Sequence, residues 1–123
     1  MAAHSAQPLK VTTELEGQVT VVIPVGEVDI ASVSALQDVF RDCREHGRLR
    51  LVVDLEGLDY LDSTGLGCIT AARRETRDAG GDLVLVCTRP RVLRLFTITG
   101  LDQVFTVYRQ RAEAVAKVAG DAS

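Results

Sequence analysis

The chain has 123 residues, 46% hydrophobic and 25% charged, a profile of one globular domain with a core of ordinary size and no room for a second. Its formal net charge of −3 argues against direct nucleic-acid binding, which needs a clustered basic surface. Met1 to Pro8 lacks the basic start and apolar stretch of a signal peptide, and no apolar run approaches the roughly 18 residues of a membrane helix, so a cytoplasmic chain without a membrane partner is expected.

In chain order, Val11 to Leu15 and Val19 to Val25 read as two strands joined at Glu16-Gly17-Gln18 in a hairpin, with Pro24 near the end of the second. Ser32 or Ser34 then caps a helix in which Leu36, Val39, Phe40 and Cys43 recur at helical spacing, and His46-Gly47 ends it. Leu51 to Asp54 is a short apolar run suited to a strand buried on both faces. A helix opens at Ser63, followed by a strand at Leu83 to Cys87, a short helix after Pro90, a strand at Val104 to Val107 and a helix near Ala112 to Val118. The expected fold is a single α/β domain, a mixed sheet with an N-terminal hairpin and about four helices. It occupies residues 10–118 between disordered tails at 1–9 and 119–123.

The Ser63 helix repays a count at about 100° per residue. Gly65, Cys68, Ile69, Ala72, Thr76 and Ala79 share a small, mostly apolar core face, while Ser63, Leu66, Gly67 and Thr70 fall on another side with Arg73, Arg74 and Arg77. Leu66 therefore points away from the core, either as an anchor for a partner or folded back over the Gly26–Ile30 loop. The arginines here, and Arg89, Arg91 and Arg94, read as solvated helix faces. Cys43, Cys68 and Cys87 show no metal-ligand spacing and read as buried free thiols, so neither a metal nor a cofactor is expected.

The segment Leu51 to Gly67, LVVDLEGLDYLDSTGLG, is the most informative. A buried strand runs through an acidic turn, where Asp54, Glu56 and Asp59 read as solvated, into Asp62-Ser63-Thr64 at a helix start. A phosphate on Ser63 would lie where backbone N–H groups and the helix dipole favour an anion. Catalysis by Ser63 is disfavoured: it is not in a G-x-S-x-G elbow, and the only histidines are His4 and His46. Gly65-Leu66-Gly67 lacks the lysine of a phosphate-binding loop. A receiver domain with Asp54 as phosphoacceptor fails too, because Lys10 and Lys117 are both badly placed.

L-D-S-T-G-L-G after L-V-V-D-L-E-G-L resembles the STAS domain of anti-sigma factor antagonists. The resemblance extends to Gly26-Glu27-Val28-Asp29, to Gly80-Gly81-Asp82-Leu83, and to Leu93-Arg94-Leu95-Phe96 with Thr99-Gly100-Leu101, covering most of residues 10–118. It implies a binding module and not an enzyme. Ser63 would be phosphorylated by a partner that is both anti-sigma factor and serine kinase, and a PP2C-type phosphatase would reset it. It also implies that the Gly26–Ile30 loop lies beside the Ser63 helix, so that Glu27, Asp29 and Asp62 ring the serine, unless Asp29 and Asp62 simply cap helices. The partner-binding set is then Glu27, Asp29, Asp62, Thr64, Gly65, Leu66 and Gly67. Two other roles are compatible with the resemblance: a subunit of a stress-signalling scaffold, or the STAS subunit of a lipid-transport ABC complex.

Overall fold

The computed structural model describes residues 8–120. Strands β1 (Lys10–Glu16) and β2 (Val19–Val28) form the hairpin and are followed by α1 (Val33–Glu45), β3 (Arg50–Asp54), β4 (Leu58–Leu61) and α2 (Ser63–Asp78). The chain continues with β5 (Asp82–Val86), α3 (Pro90–Ile98), a 3₁₀ turn at Leu101–Gln103, β6 (Val107–Tyr108) and α4 (Arg111–Gly120). The sheet order is β1-β2-β3-β5-β6, antiparallel between β1 and β2 and parallel elsewhere. This mixed sheet layered with four helices is the expected class.

Alternate residues of the central strands enter two separate cores, which is why their sequences are continuously apolar. Leu51, Val53, Leu83 and Leu85 pack with Leu36 and Phe40 of α1, Ile69 and Ala72 of α2, and Val92 and Phe96 of α3. Val19, Val21, Val52, Val84 and Val86 meet Ala114 and Val118 of α4 on the other face.

Strand β4 carries no clear strand signal in the sequence. Leu58 and Leu61 are buried while Asp59 and Tyr60 face solvent, so the segment lacks the two-residue alternation that marks a half-buried strand. It pairs in parallel with the end of β2, from Gly26↔Leu58 to Val28↔Leu61. Strand β2 accordingly runs past Pro24, three residues beyond the expected end. Pro24 is tolerated because its missing N–H falls in a gap: β3 pairs only as far as Val22, and β4 begins at Gly26. The strand expected at Val104 to Val107 is displaced, with Val104 exposed after the 3₁₀ turn and only Val107–Tyr108 pairing with β5. Leu9 packs against the helix-covered core, and α4 continues through Ala119 to Gly120. The rest of the expected tails, 1–7 and 121–123, lies outside the described residues.

The turn after β3 is not wholly solvated. Asp54 is 8% exposed and accepts hydrogen bonds from Arg111 Nε and Nη2 at 3.1 and 3.0 Å. Glu56 accepts hydrogen bonds from the Thr88 backbone N–H and hydroxyl, while Asp59 is exposed and lies 3.4 Å from Arg89. The partner of Asp54 lies 57 residues away in sequence, beyond the reach of any local pattern.

Candidate functional site

The site is built where β2 and β4 end side by side. The Asp62 N–H donates to the Val28 carbonyl at 3.3 Å, fixing the start of α2 beside the β2–α1 loop. Asp62 is the N-cap: its Oδ1 accepts from the Gly65 N–H at 3.0 Å, and its carbonyl accepts from the Leu66 N–H at 2.9 Å. Ser63 is therefore the first helical residue. It is exposed, and among the described residues its hydroxyl takes part in no hydrogen bond.

Asp29 shapes the neighbouring loop and is not the N-cap of α1. Its Oδ1 accepts from the Ala31 and Ser32 N–H groups, both at 3.0 Å, and from the Ser32 hydroxyl at 3.1 Å. The Ser32 hydroxyl in turn lies 3.0 Å from the Asp29 N–H and 2.9 Å from the Glu27 carbonyl. Ser32 occupies the N-cap position of α1, but its hydroxyl turns back into this knot and makes no cap bond. Glu27, half-buried, sits opposite Tyr60 in the β2–β4 register, next to an irregularity between Gly26 and Glu27. Glu27 and Asp29 thus lie on the strand end and loop that adjoin the Asp62 cap. Asp62 therefore caps α2 and directly precedes Ser63.

The two glycines after Ser63 differ in kind. A Cβ on Gly65 would come within 2.4 Å of Leu61 Cδ1 and 2.8 Å of Val28 Cγ1, so its hydrogen lets α2 close onto the strand ends. A Cβ on Gly67 would meet nothing within 4 Å. Gly65 is buried and serves packing, whereas Gly67 is exposed on the first turns of α2 and Thr64 is half-buried.

Leu66 requires a larger correction. It is 4% exposed and belongs to the same core as Leu58, Leu61, Val92 and Phe96, so it is no anchor on the free surface. The rotational count assumed one core-facing side. In fact α2 is flanked on both sides: by α1, where Arg44 pairs with Glu75 at 3.1 Å, and by the segment after α3, where Arg73 lies 5.7 Å over the Phe105 ring. The buried arc widens to take in Leu66. At the other end of the helix Ala79 is exposed, and Cys68 is only half-buried.

Two residues outside the expected partner-binding set are also exposed here. Ile30, in the loop tied by Asp29 and Ser32, is 79% exposed, and Tyr60, on β4, is 49% exposed. Both are large apolar side chains on elements that adjoin the start of α2. Ile30 could have been flagged as a lone aliphatic in a polar loop; Tyr60 could not, because its outward direction depends on the unanticipated strand.

The remaining sequence candidates lie elsewhere. Arg77 pairs with Asp82 at 3.4 Å, and Arg89 donates to the Glu56 carbonyl at 3.0 Å. The cysteines are free thiols, Cys43 and Cys87 buried, and burial pushes the Cys68 thiol up to about 11, which leaves it a poor nucleophile at neutral pH. No helix among the described residues is long and apolar enough to cross a membrane.

Comparison with known proteins agrees with this geometry. The STAS domain family matches residues 10–114. The chain is 34% identical over 82 residues to the anti-sigma-B factor antagonist of Staphylococcus aureus, covering 67% of this chain and 76% of that one. It is 33% identical over 91 residues to the Bordetella bronchiseptica protein BtrV, named as an anti-sigma factor antagonist, covering 74% and 78%. A crystal structure of an anti-sigma factor antagonist from Mycobacterium paratuberculosis superposes with a TM-score of 0.82 at 27% identity, covering 94% of this chain and 99% of that one. The phosphorylated form of SpoIIAA from Bacillus shares the fold, with a TM-score of 0.70 at 22% identity over 89% of this chain and 99% of that one. With the sheet, the Asp62-capped helix and these relatives in agreement, the chain belongs to the STAS-domain family of anti-sigma factor antagonists.

Proposed function

We propose that the unphosphorylated chain binds an anti-sigma factor that is also a serine kinase, so that the sigma factor is released. Phosphorylation of Ser63 then breaks the complex, and a PP2C-type phosphatase restores it. The protein works as a binding module in the cytoplasm, where sigma factors act, and performs no chemistry itself. The observation that carries this reading is Ser63 itself: an exposed hydroxyl without a hydrogen bond at the first position of a capped helix, beside exposed Ile30 and Tyr60.

The switch is electrostatic. Phosphoserine adds about −1.5 to −2 charges next to Asp29 and Asp62, and three further acceptor oxygens. In the free protein the helix N-terminus and solvent accommodate that charge. Under a docked partner the same charge is desolvated among carboxylates, and each 1.4 kcal/mol of penalty weakens binding about tenfold. Glu27, Asp29, Asp62, Thr64 and Gly67 remain in the proposed contact surface, joined by Ile30 and Tyr60. Leu66 and Gly65 support it from beneath.

The test is to incubate the chain with candidate anti-sigma kinases and ATP, to map the phosphosite, and to titrate each kinase with both forms. Phosphate on Ser63 alone with tighter binding by the unmodified form is the expected result. Phosphate elsewhere, or equal affinity of the two forms, overturns it.

A further inference from the structure

Strand β1 ends the sheet, and among the described residues nothing pairs with its outer edge. Edge strands are commonly blunted by brevity, charged side chains, a proline or a bulge, and of these β1 has only charges, at Lys10, Glu14 and Glu16. It is seven residues long, contains no proline and keeps an unbroken register with β2 from Lys10↔Val25 to Glu16↔Val19. Glu16 and Val19 flank a two-residue turn, so the even-numbered residues of β1 exchange hydrogen bonds with β2. Val11, Thr13 and Leu15 therefore aim their N–H and C=O groups out at the free edge. Their side chains share the face covered by α1, α2 and α3, where Leu15 is 60% exposed. Beside them, between β1 and the end of α1, lies a half-open cleft of ≈ 310 Å³ lined in part by Val11, Thr13, Val39 and Cys43.

We propose that this edge pairs with β1 of a second copy, antiparallel about a two-fold axis through Thr13. The sequence of the strand is complementary to itself in that register. Lys10 stands opposite the partner's Glu16, Val11 opposite its Leu15, Thr12 opposite its Glu14, and Thr13 opposite its own equivalent. The outward groups of Val11, Thr13 and Leu15 form about six backbone hydrogen bonds across the seam. Each exposed Leu15 reaches the mouth of the other copy's cleft, beside Val11. Shifting the register by one pair in one direction sets Glu14 against Glu14, and in the other leaves Leu15 and Glu16 unpaired. Lys10 and Glu16 share the α4 face, where Glu14 and Glu16 already meet Arg111, so the pairing joins two ion-pair networks into one. Because β4 pairs with β2 on the side away from β1, the seam leaves the Ser63 surface free. The two such surfaces point in opposite directions, making the dimer bivalent for a partner.

Sedimentation of the purified chain over the micromolar to millimolar range should show a concentration-dependent dimer. Thr13→Pro removes the central outward N–H but no bond to β2, and should weaken the dimer at least about tenfold. Leu15→Lys, at an exposed position, should do the same without touching the backbone. Register is read by cross-linking under mild oxidation: Thr13→Cys alone forms a disulfide dimer, whereas Lys10→Cys and Glu16→Cys cross-link when mixed and neither does so alone. A chain that stays monomeric throughout, as it would if its own N-terminal residues occupied this edge, overturns the proposal. So does a dimer indifferent to both Thr13→Pro and Leu15→Lys, or self-cross-linking by Lys10→Cys.

Discussion

Two helix starts in this molecule, those of α2 and α4, gather acidic residues and treat them in opposite ways. At α4, Arg111 supplies a cation: its Nε and Nη2 meet Asp54, and its Nη1 meets Glu14 at 2.8 Å and Glu16 at 3.6 Å. Burial alone lowers the guanidinium pKa, but the hydrogen bonds and charge of Asp54 and Glu14 outweigh it and the net shift is upward. At α2, the Asp29 and Asp62 side chains are held by backbone N–H groups and a hydroxyl, and among the described residues neither enters an ion pair. Amide dipoles stabilise a carboxylate without cancelling its charge. The first cluster is a clasp between sheet and helix. The second leaves the carboxylates beside Ser63 with no cation to cancel them among the described residues, the condition on which the proposed switch depends.

The largest expected effect tests how firmly α2 is seated beneath that surface. Leu66→Ala should cost about 2–5 kcal/mol of stability, as for other buried leucines, because Leu66 lies in the core shared by β4, α2 and α3. Denaturant unfolding measures the loss, and affinity for the kinase per folded molecule should stay nearly constant. A loss under about 0.5 kcal/mol would return Leu66 to the surface and reopen its role as an anchor.

Leu66 also marks where the sequence stops being legible. Helical spacing located α1, capping residues located the start of α2, and short apolar runs located β3 and β5, because each of these signals is local. The burial of Leu66 depends on two neighbours closing over α2 from either side, and Arg73 reaches across 32 positions to Phe105 to help form one of those walls. Likewise Asp54 and Tyr60 take their roles from a distant arginine and from a strand without alternation. The place of Ser63 at a helix start is legible because its signal is local: a cap, a hydroxyl and two glycines within the six residues Asp62 to Gly67.

Removing the cation from the α4 clasp should have the next largest effect. Breaking one side of a buried ion pair costs about 3–5 kcal/mol, and the partial exposure of Arg111 reduces this to about 2–3 kcal/mol for Arg111→Ala. Thermal and urea unfolding should both register it, while phosphorylation of Ser63 by the kinase proceeds as before. If stability falls by less than about 1 kcal/mol, the two clusters do not differ as described and Asp54 is better solvated than its burial implies.

At α2 the corresponding change should act on binding and spare folding. Phosphorylated Ser63 should weaken the kinase complex by more than about tenfold, and Ser63→Asp by less, in keeping with its smaller charge. Stability should change by under about 1 kcal/mol in both, because the Ser63 hydroxyl makes no bond that either change would break. Raising the salt concentration should narrow the affinity gap between the two forms, since screening acts on this surface and far less on a buried clasp. A salt-independent gap would point to steric exclusion in place of charge.

The smallest effect separates the two glycines of the site. Gly67 lies in a helix interior with open space where its Cβ would be, so Gly67→Ala should raise stability by about 0.5–1 kcal/mol through the lower entropy of the unfolded chain and the better helix propensity of alanine. Gly65→Ala should do the opposite and lose about 1–3 kcal/mol, because its methyl group would press on Leu61 and Val28. Nothing in the isolated fold therefore favours glycine at position 67. If a partner lies flat against α2 next to Ser63, the added methyl should weaken the kinase complex even as it stabilises the free protein. That pairing of opposite signs in one mutant is what a contact position produces and a packing position does not. Unchanged affinity together with the gain in stability would move the partner off this face of α2, toward Ile30 and Tyr60 on the β2–α1 loop and β4.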